Sequence, residues 1–173
     1  DTIFDKVLTG LDNPIPPTAF AGKHDEVITG ENIDLRRWPV PTYSPQDGGA
    51  YITPGIVVSK DPETGIMNVG IYRGMVAGHD RIPILMWRAQ HIGHHFTAWQ
   101  NGGSAEMPIA VAIGWEPSLG FTGGSPVPKG MCEYDVMGAM RGAPVELVKC
   151  ETVDLYVPAS AEIVLEGFIR PDA

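Results

Sequence analysis

The chain has 173 residues, of which 43% are hydrophobic, so it is long enough for one folded domain with its own core and too short for two domains of ordinary size. Its formal net charge is −9 and its densest basic spot is Arg36-Arg37, which argues against a nucleic-acid partner because phosphate binding needs clustered Lys and Arg. No apolar run reaches the roughly 18 residues of a membrane-spanning helix. The two cysteines, Cys132 and Cys150, form no CxxC pair. We therefore expect a cytoplasmic protein in a reducing compartment, without a membrane partner.

The first 26 residues are predicted to form an N-terminal extension or linker. A short helix is predicted over Ile3–Leu8, and the Pro-rich stretch Asn13-Pro-Ile-Pro-Pro17 follows it. Proline fixes φ and removes an amide donor, so such a stretch is typical of a linker or an edge strand. The main domain is predicted to span residues 27–173.

Beyond residue 26, short apolar segments alternate with turn residues. The chain contains 21 Gly and 16 Pro, a composition typical of short strands joined by tight turns. Nine segments are predicted as strands: Val27–Thr29, Ile33–Arg36, Tyr51–Ser59, Ile66–Tyr72, Ile82–Arg88, Pro108–Gly114, Val145–Val148, Val153–Val157 and Glu162–Ile169. The third and fourth flank a turn-rich stretch and are predicted to pair as a hairpin. The nearly continuous apolar run in Pro108–Gly114 indicates a strand buried on both faces.

Two helices are predicted inside the main domain. Ile92–Gln100 is followed by Asn101-Gly-Gly103, which favours a helix end, and Glu133–Met140 is stopped near Gly142. Nine strands with two or three helices predict a mainly β (α+β) domain, built as a closed or half-closed β-barrel with a few short helices.

Three polar residues lie where a divalent cation could bind. Asn68 lies inside a predicted strand, His91 directly follows another, and Glu133 opens a predicted helix. An amide oxygen, an imidazole and a carboxylate together suit a hard cation such as Mn²⁺ or Mg²⁺. Taken alone, the spacing favours separate structural roles, because Asn in a strand is typical of a bulge and Glu at a helix start is favoured by the helix dipole.

Two further features have both a functional and an ordinary interpretation. Arg73 closes the strand that contains Asn68 and could hold a carboxylate through two hydrogen bonds, but a surface charge is the simpler interpretation. The Gly-rich stretch Gly120–Pro128 leads into a helix, and its amides could bind a phosphate. It has neither the P-loop nor the Rossmann pattern, so a plain connection is the simpler interpretation.

A histidine cluster raises the question of a zinc site. His91, His94 and His95 lie on one face of the predicted helix, because positions three and four apart are neighbours. The sequence has no HExxH pattern and no Cys or acidic ligand close by, which argues against zinc. We expect His91 to differ in role from His94 and His95, which are expected on a solvated or interfacial helix face.

Several segments, taken in order, resemble UbiD and the related ferulic acid decarboxylases. The resemblance covers residues 30–170, and its most specific piece is VKC at 148–150 followed by DLYVPASAEIVLEG at 154–167. The other pieces are GAYIT at 49–53 with Gly55 and Val57, NVGIYR at 68–73, QH at 90–91, AVAIG at 110–114, PVP at 126–128 through Glu133, and ELVKC at 146–150.

The resemblance implies a split β-barrel that binds prenylated FMN or FMN. Asn68, His91 and Glu133 match the family's divalent-metal ligands (Mn²⁺ or Mg²⁺), which tie the flavin phosphate to the protein. Arg73 matches the cofactor-binding strand, together with Ile71 and Tyr72, and it also matches the catalytic arginine. The other implied cofactor contacts are Gln90 and the loop residues Gly123, Gly124, Ser125 and Pro126, which match the stretch near the phosphate and an accompanying K⁺.

The implied chemistry is reversible decarboxylation of a small aromatic or α,β-unsaturated acid, in which the cofactor carries the electronic work. The family's next segment holds two further acidic residues, one of them the proton donor, and the chain stops at Ala173 before that segment. We therefore expect the chain alone to be inactive, because general acid catalysis needs its acid within reach. Uncovered apolar surface is expected to favour self-association, or contact with other domains or subunits of a longer enzyme.

Two alternative interpretations stay open. The missing acidic segment would fit a non-catalytic flavin-binding or partner-binding module. A flavin reductase-like protein, a class with a related split barrel, is supported by fold analogy alone.

Overall fold

The computed structural model describes residues 2–171, which form four α-helices, two 3₁₀ helices and nine strands. The α-helices are α1 (Ile3–Asp12), α2 (His91–Asn101), α3 (Pro117–Gly123) and α4 (Glu133–Arg141). The strands are β1 (Thr18–Ala19), β2 (Tyr51–Ile52), β3 (Ile56–Lys60), β4 (Met67–Ile71), β5 (Gly74–Met75), β6 (Met107–Ile113), β7 (Glu146–Lys149), β8 (Tyr156–Pro158) and β9 (Ile163–Ile169). The 3₁₀ helices are Gly30–Asn32 and Leu35–Arg37.

The strands form three small sheets. The largest has the order β4-β3-β6-β9 and is antiparallel throughout, with β4 at one edge. A second sheet has the order β1-β7-β8, and a third pairs β2 with β5. The predicted hairpin is confirmed, since β3 and β4 pair in register from Ile56↔Ile71 to Lys60↔Met67.

The four-stranded sheet is buried on both faces. Along β3, Ile56 and Val58 pack into one core cluster with α4 and the β7-β8 hairpin, while Val57 packs into a second cluster with Ile92 of α2. This follows from the period of two along a strand, which sends alternate side chains to opposite faces. The same alternation holds in β6, so the expectation of a strand buried on both sides is confirmed.

The N-terminal segment lies against α4. The Ile15 amide donates to the carbonyl of Asp135 at 3.0 Å, and β1 adds a parallel strand to the edge of β7. A Cβ at Gly138 would lie only 2.5 Å from the carbonyl oxygen of Ile15, so only glycine permits this approach. The predicted helix at the N-terminus is confirmed and extends to Asp12, with Thr2 and Asp5 forming a capping box.

Three strand predictions were wrong, and two others were misplaced. Residues 27–29 form no strand, and Ile33–Arg36 is replaced by a 3₁₀ turn in which the Asp34 carboxylate accepts from the Arg36 amide at 3.1 Å. The segment 82–88 makes a single bridge, Ile84 to Gly74. Pro54 interrupts the predicted strand 51–59, because proline has no amide hydrogen to donate to a neighbouring strand. The strand predicted at Val153–Val157 is β8, which begins at Tyr156.

Helix α3 was missed by the sequence patterns, because Gly120 and Gly123 within it are poor helix formers, although Pro117 at its first turn is a helix-start residue. The four α-helices make the domain a mixed α+β fold in which helices take a larger share than predicted. Among the described residues, no helix is long and apolar enough to cross a membrane.

Candidate functional site

The candidate site is built on the edge strand β4. Because β4 has a neighbour on one side only, the Val69 amide that faces away from β3 finds no partner within the sheet. A buried amide without a partner is unfavourable. The Glu133 carboxylate fills this role, since its Oε2 accepts from the Val69 amide at 2.7 Å. The sheet edge therefore fixes the position of an acidic side chain next to Asn68.

Glu133 is placed by α4, whose first residue it is. A carboxylate in the first turn is favoured by the helix dipole. The side chain is only 4% exposed, and this burial raises the pKa of Glu133 to about 7. No Lys or Arg forms an ion pair with it among residues 2–171. A buried carboxylate without a full positive charge beside it is the kind of group that a cation would stabilise.

His91 is placed by the start of α2, after a tight turn. Gln90 is the N-cap residue, and its Oε1 accepts from the Trp87 amide at 2.9 Å. A Cβ at Gly93 would lie 2.2 Å from the Trp87 carbonyl oxygen and 2.7 Å from Cα of Arg88, so glycine lets α2 pack directly on this turn. The turn and the helix start together aim His91 at β4.

The three side chains converge at one point. Nδ1 of His91 lies 3.2 Å from Oδ1 of Asn68 and 3.9 Å from Oε1 of Glu133. Neighbouring ligands of an octahedral ion with bonds of about 2.1 Å lie about 3 Å apart. The His91–Asn68 separation is close to the one that a shared cation requires, and the His91–Glu133 separation is wider. The three residues come from β4, α2 and α4.

Two further observations agree with a cation at this point. Asn68 is 5% exposed, so its Oδ1 is shielded from bulk water beside His91 and can act as a ligand. Its Nδ2 has no hydrogen-bond partner in the structure, and as a donor it would be satisfied by an acceptor oxygen and not by the ion. Burial, His94 and Lys129 lower the pKa of His91, which keeps the imidazole neutral and able to act as a ligand. The residues present thus fit a Mn²⁺ or Mg²⁺ ion held by Asn68, His91 and Glu133.

Among the loop residues Gly123, Gly124, Ser125 and Pro126, the first two lie beside β4. Gly123 ends α3, and a Cβ there would lie 3.3 Å from the Val69 carbonyl oxygen. A Cβ at Gly124 would lie 3.7 Å from Cδ1 of Ile71. The Ser125 hydroxyl donates to the Phe121 carbonyl at 2.6 Å, so this hydroxyl closes the helix end. The end of α3 therefore lies next to β4, the strand that contains Asn68 and Ile71.

The opposite end of β4 is open. Ile71 is 42% exposed, and Tyr72 folds back so that its ring lies over Gly70. Burial raises the pKa of Tyr72, which keeps its hydroxyl protonated. Arg73 is exposed and forms no ion pair within 4.0 Å among residues 2–171. The structure therefore brings Asn68, His91 and Glu133 together but leaves Arg73 apart from them.

Comparison with known protein families places the chain. The family model for the 3-octaprenyl-4-hydroxybenzoate carboxy-lyase Rift-related domain, UbiD, matches residues 18–173. The chain belongs to the UbiD family.

Solved structures of UbiD-class enzymes agree with this assignment. The evolved dimeric form of HmfF from Pelotomaculum thermopropionicum, in complex with prFMN, superposes with a TM-score of 0.90 at 39% identity, over 98% of this chain and 40% of that one. The closed form of vanillic acid decarboxylase from Sedimentibacter hydroxybenzoicus superposes with a TM-score of 0.87 at 34% identity, over 97% and 37% of the two chains.

The UbiD-family chain spans only part of the curated relatives that it matches. An uncharacterized protein of Aquifex aeolicus is 42% identical over 167 residues, which make up 95% of this chain and 34% of that protein. An uncharacterized protein of Archaeoglobus fulgidus is 38% identical over 84% of this chain and 30% of that protein. The chain therefore spans about a third of the length of these curated relatives.

The histidine cluster of this UbiD-family domain separates into different environments. His91 faces Asn68, and His94 is exposed, but His95 is only 8% exposed and its Nδ1 lies 3.0 Å from the Ser59 hydroxyl. The expectation that His95 lies on a solvated or interfacial face was therefore wrong. Within residues 2–171, no three His, Cys, Asp or Glu side chains are grouped so that they could hold a metal ion, so the proposed ion depends on the amide of Asn68 as its third ligand.

Sequence inspection missed two contributors to the site. The Val69 amide fixes Glu133 through its backbone, and no side-chain pattern announces a backbone donor. Ser59 lies opposite Asn68 in the β3–β4 register, and the predicted hairpin could have located it, because cross-strand neighbours share a face.

Proposed function

We propose that this chain is the prenylated-FMN- and divalent-metal-binding domain of a UbiD-class enzyme, a reversible decarboxylase of aromatic or α,β-unsaturated carboxylic acids. The convergence of Asn68, His91 and Glu133 on one point carries the proposal. The likeness to HmfF, whose structures contain prFMN or FMN, supports the choice of cofactor.

Each candidate residue has a proposed role. Asn68, His91 and Glu133 hold Mn²⁺ or Mg²⁺, and the ion in turn binds the phosphate of the flavin. Gly123, Gly124, Ser125 and Pro126 at the end of α3 are proposed to line the phosphate end together with a K⁺ ion, and the position of Gly123 beside the Val69 carbonyl supports this. Ile71, Tyr72 and Gln90 are proposed to line the flavin, since they lie at the open end of β4 and at the start of α2.

Arg73 is proposed to bind the substrate carboxylate. Its guanidinium is exposed and has no acidic partner among the described residues, so it is free to form the paired hydrogen bonds that a carboxylate accepts. When bound, prenylated FMN supplies the electron-accepting chemistry for loss of CO₂. The protein residues orient the acid above the flavin and keep the phosphate end fixed.

The chain alone is proposed to bind cofactor without catalysing turnover. The described residues offer no carboxyl group within ion-pair distance of Arg73, so the proton donor would come from another part of a longer enzyme. The split-barrel description, the domain limits 27–173, a cytoplasmic location, and association with further copies, domains or subunits are parts of the same proposal.

A flavin titration tests the proposal. The chain is titrated with FMN and with prenylated FMN, with and without Mn²⁺, and flavin fluorescence is followed. We expect Mn²⁺ to tighten binding of FMN but not of riboflavin, because only FMN has a phosphate for the ion. His91→Ala is expected to weaken the Mn²⁺-dependent part by about 10- to 100-fold. His79→Ala is the matched control, because His79 is an exposed histidine on another loop.

Two results would contradict the proposal. If His91→Ala binds FMN as tightly as the parent in the presence of Mn²⁺, the assignment of His91 as a ligand is wrong. Release of CO₂ from a cinnamate- or hydroxybenzoate-like acid by this chain alone would contradict the proposed lack of turnover.

A further inference from the structure

Three side chains on successive turns of α2 form hydrogen bonds or close polar contacts with the β3–β4 hairpin. We call His91, His95 and Trp99 the α2 polar row. His91 Nδ1 lies 3.2 Å from Asn68 Oδ1, His95 Nδ1 lies 3.0 Å from Ser59 Oγ, and Trp99 Nε1 donates to the Lys60 carbonyl at 2.9 Å. Positions four apart lie on one helix face, so the row runs along the side of α2 that faces the sheet.

The partners of the row are also adjacent to one another. Ser59 and Asn68 are directly paired in the β3–β4 register, so their side chains project from the same face of the hairpin. Ser59 is fully buried, and its hydroxyl finds His95 as its partner. Breaking this contact would leave a buried polar group unsatisfied, which makes the contact directional and costly to lose.

The rest of the α2 interface is apolar. Ile92 packs with Val57, Met107 and Val111 in the second core cluster. Apolar packing depends on buried area and is not directional, so it tolerates small rotations and shifts of a helix. Such a shift would move the His91 ring away from Asn68 and Glu133. The polar contacts of His95 and Trp99 therefore fix the rotation and shift of α2, which the apolar contacts do not fix.

We propose that His95 and Trp99 are positioning residues for the cation site, which hold α2 in the rotation and register that aim His91 at the ion. This inference rests on the proposed function, because it assumes that His91 binds the ion. It implies that cation binding and docking of α2 on the hairpin strengthen each other, since a coupling between two equilibria is reciprocal.

The experiment compares four variants of the chain. His95→Leu removes the contact with Ser59, whereas His95→Asn keeps a polar atom close to the position of Nδ1. Trp99→Phe removes the Nε1 donor and keeps an aromatic ring. Thr97→Val is the control, because the Thr97 hydroxyl donates within α2 to the Gly93 carbonyl at 2.9 Å and is not part of the row. Mn²⁺ affinity is measured from the EPR signal of free Mn²⁺, and hydrogen exchange of the α2 amides is measured with and without Mn²⁺.

We expect His95→Leu to weaken Mn²⁺ binding about tenfold, in the range seen when groups that orient metal ligands are removed. His95→Asn and Thr97→Val should stay within about twofold of the parent, and Trp99→Phe should lie between. Without cation, α2 amides should exchange faster in His95→Leu than in Thr97→Val. Mn²⁺ should slow their exchange in the parent.

Parental Mn²⁺ affinity in a folded His95→Leu variant would overturn the inference, and so would an equal loss in Thr97→Val. If circular dichroism shows that His95→Leu does not fold, Trp99→Phe decides: parental affinity there overturns the inference, and weakened affinity supports it. A parent chain that does not bind Mn²⁺ would overturn the proposed cation site and this inference with it. Faster α2 exchange in His95→Leu without cation would then show that the α2 polar row docks the helix on the hairpin but positions no ligand for an ion.

Discussion

The two ends of β4 differ in how completely this chain surrounds them. At the Asn68 end, the first residues of α2 and α4 and the edge strand β4 bring together three side chains that could bind a cation. The Glu133 carboxylate is also held by the Val69 amide. At the Arg73 end, the guanidinium is exposed and has no ion-pair partner among residues 2–171. Under the proposed function, the Asn68 end would hold the flavin phosphate in a preorganised site, and the Arg73 end would need further groups beyond the described residues.

The largest effect is expected from a substitution that displaces α2 from the turn before it, which would disrupt the Asn68 end of β4, called here the closed end. In Gly93→Ala, the new Cβ would meet the backbone of Trp87 and Arg88, which cannot move aside as a flexible side chain could. We expect a loss of about 3 kcal/mol in the free energy of unfolding, despite the better helix propensity of Ala. Urea unfolding followed by circular dichroism measures it. A neutral or stabilising effect would show that α2 does not pack on this turn.

The next largest effect concerns the charge of Glu133 in the cation-free chain. Its pKa is raised from 4.5 to about 7 by burial, so between these pH values the folded chain binds the proton that the unfolded chain has lost. Stability from this group therefore falls as pH rises from 4.5 to 7, by roughly 3 kcal/mol in total. Glu133→Gln should remove this loss and be more stable than the parent at pH 8, but not at pH 4.

Thermal unfolding across pH, with EDTA present, checks this expectation. Glu146→Gln is a matched control, because Glu146 is exposed. Addition of Mn²⁺ at pH 8 should raise the melting temperature of the parent and not that of Glu133→Gln. Equal pH profiles for the parent and Glu133→Gln would contradict the burial of an uncompensated carboxyl group at the closed end.

A matched pair on β4 sharpens the comparison between its ends. Val69 is 1% exposed and packs in the core, whereas Ile71, two residues later on the same face, is 42% exposed. We expect Val69→Ala to lower the free energy of unfolding by about 2 kcal/mol and Ile71→Ala by less than about 1 kcal/mol. Denaturant midpoints of the two variants give the difference. Equal losses would mean that Ile71 is covered in this chain.

The smallest effect is expected at the open end itself. Arg73→Ala should change the free energy of unfolding by no more than about 0.5 kcal/mol, because the side chain is exposed and unpaired. It should also leave the Mn²⁺-dependent binding of FMN within about twofold of the parent. A large loss of FMN affinity in this variant would place Arg73 at the phosphate and not at the reacting end.

Prediction from sequence worked best where a pattern is local. The continuous apolar run in β6 specifies its strand almost completely, and Gly142 marks the end of α4. The turn between β3 and β4 locates their hairpin, although Pro54 shortens the first of the two strands. The wrong strands at 27–29, 33–36 and 82–88 share a cause. Each is apolar enough for a strand, but strand formation depends on a partner, and the sequence alone does not show which partner is present.

The candidate site was only partly predictable for the same reason. Asn68, His91 and Glu133 could be selected from residue types and from the family resemblance. Their separation along the sequence does not show how far apart they lie in the folded chain. Their convergence depends on the edge position of β4 and on the approach of α2 at Gly93, and both are tertiary features. The burial of His95 against Ser59 was not predicted, because the sequence does not distinguish the buried His95 from the exposed His94 beside it.

The contact of the N-terminal segment with α4 has a practical consequence. Gly138 lies beneath the Ile15 carbonyl, and Gly10 of α1 packs beside Val136, so the first residues brace the helix that carries Glu133. An expression boundary or a protease cut after residue 26 would remove the N-terminal segment that supports α4, although this segment contains none of the candidate ligands. Such a shortened chain should lose cation affinity even though every candidate ligand is still present.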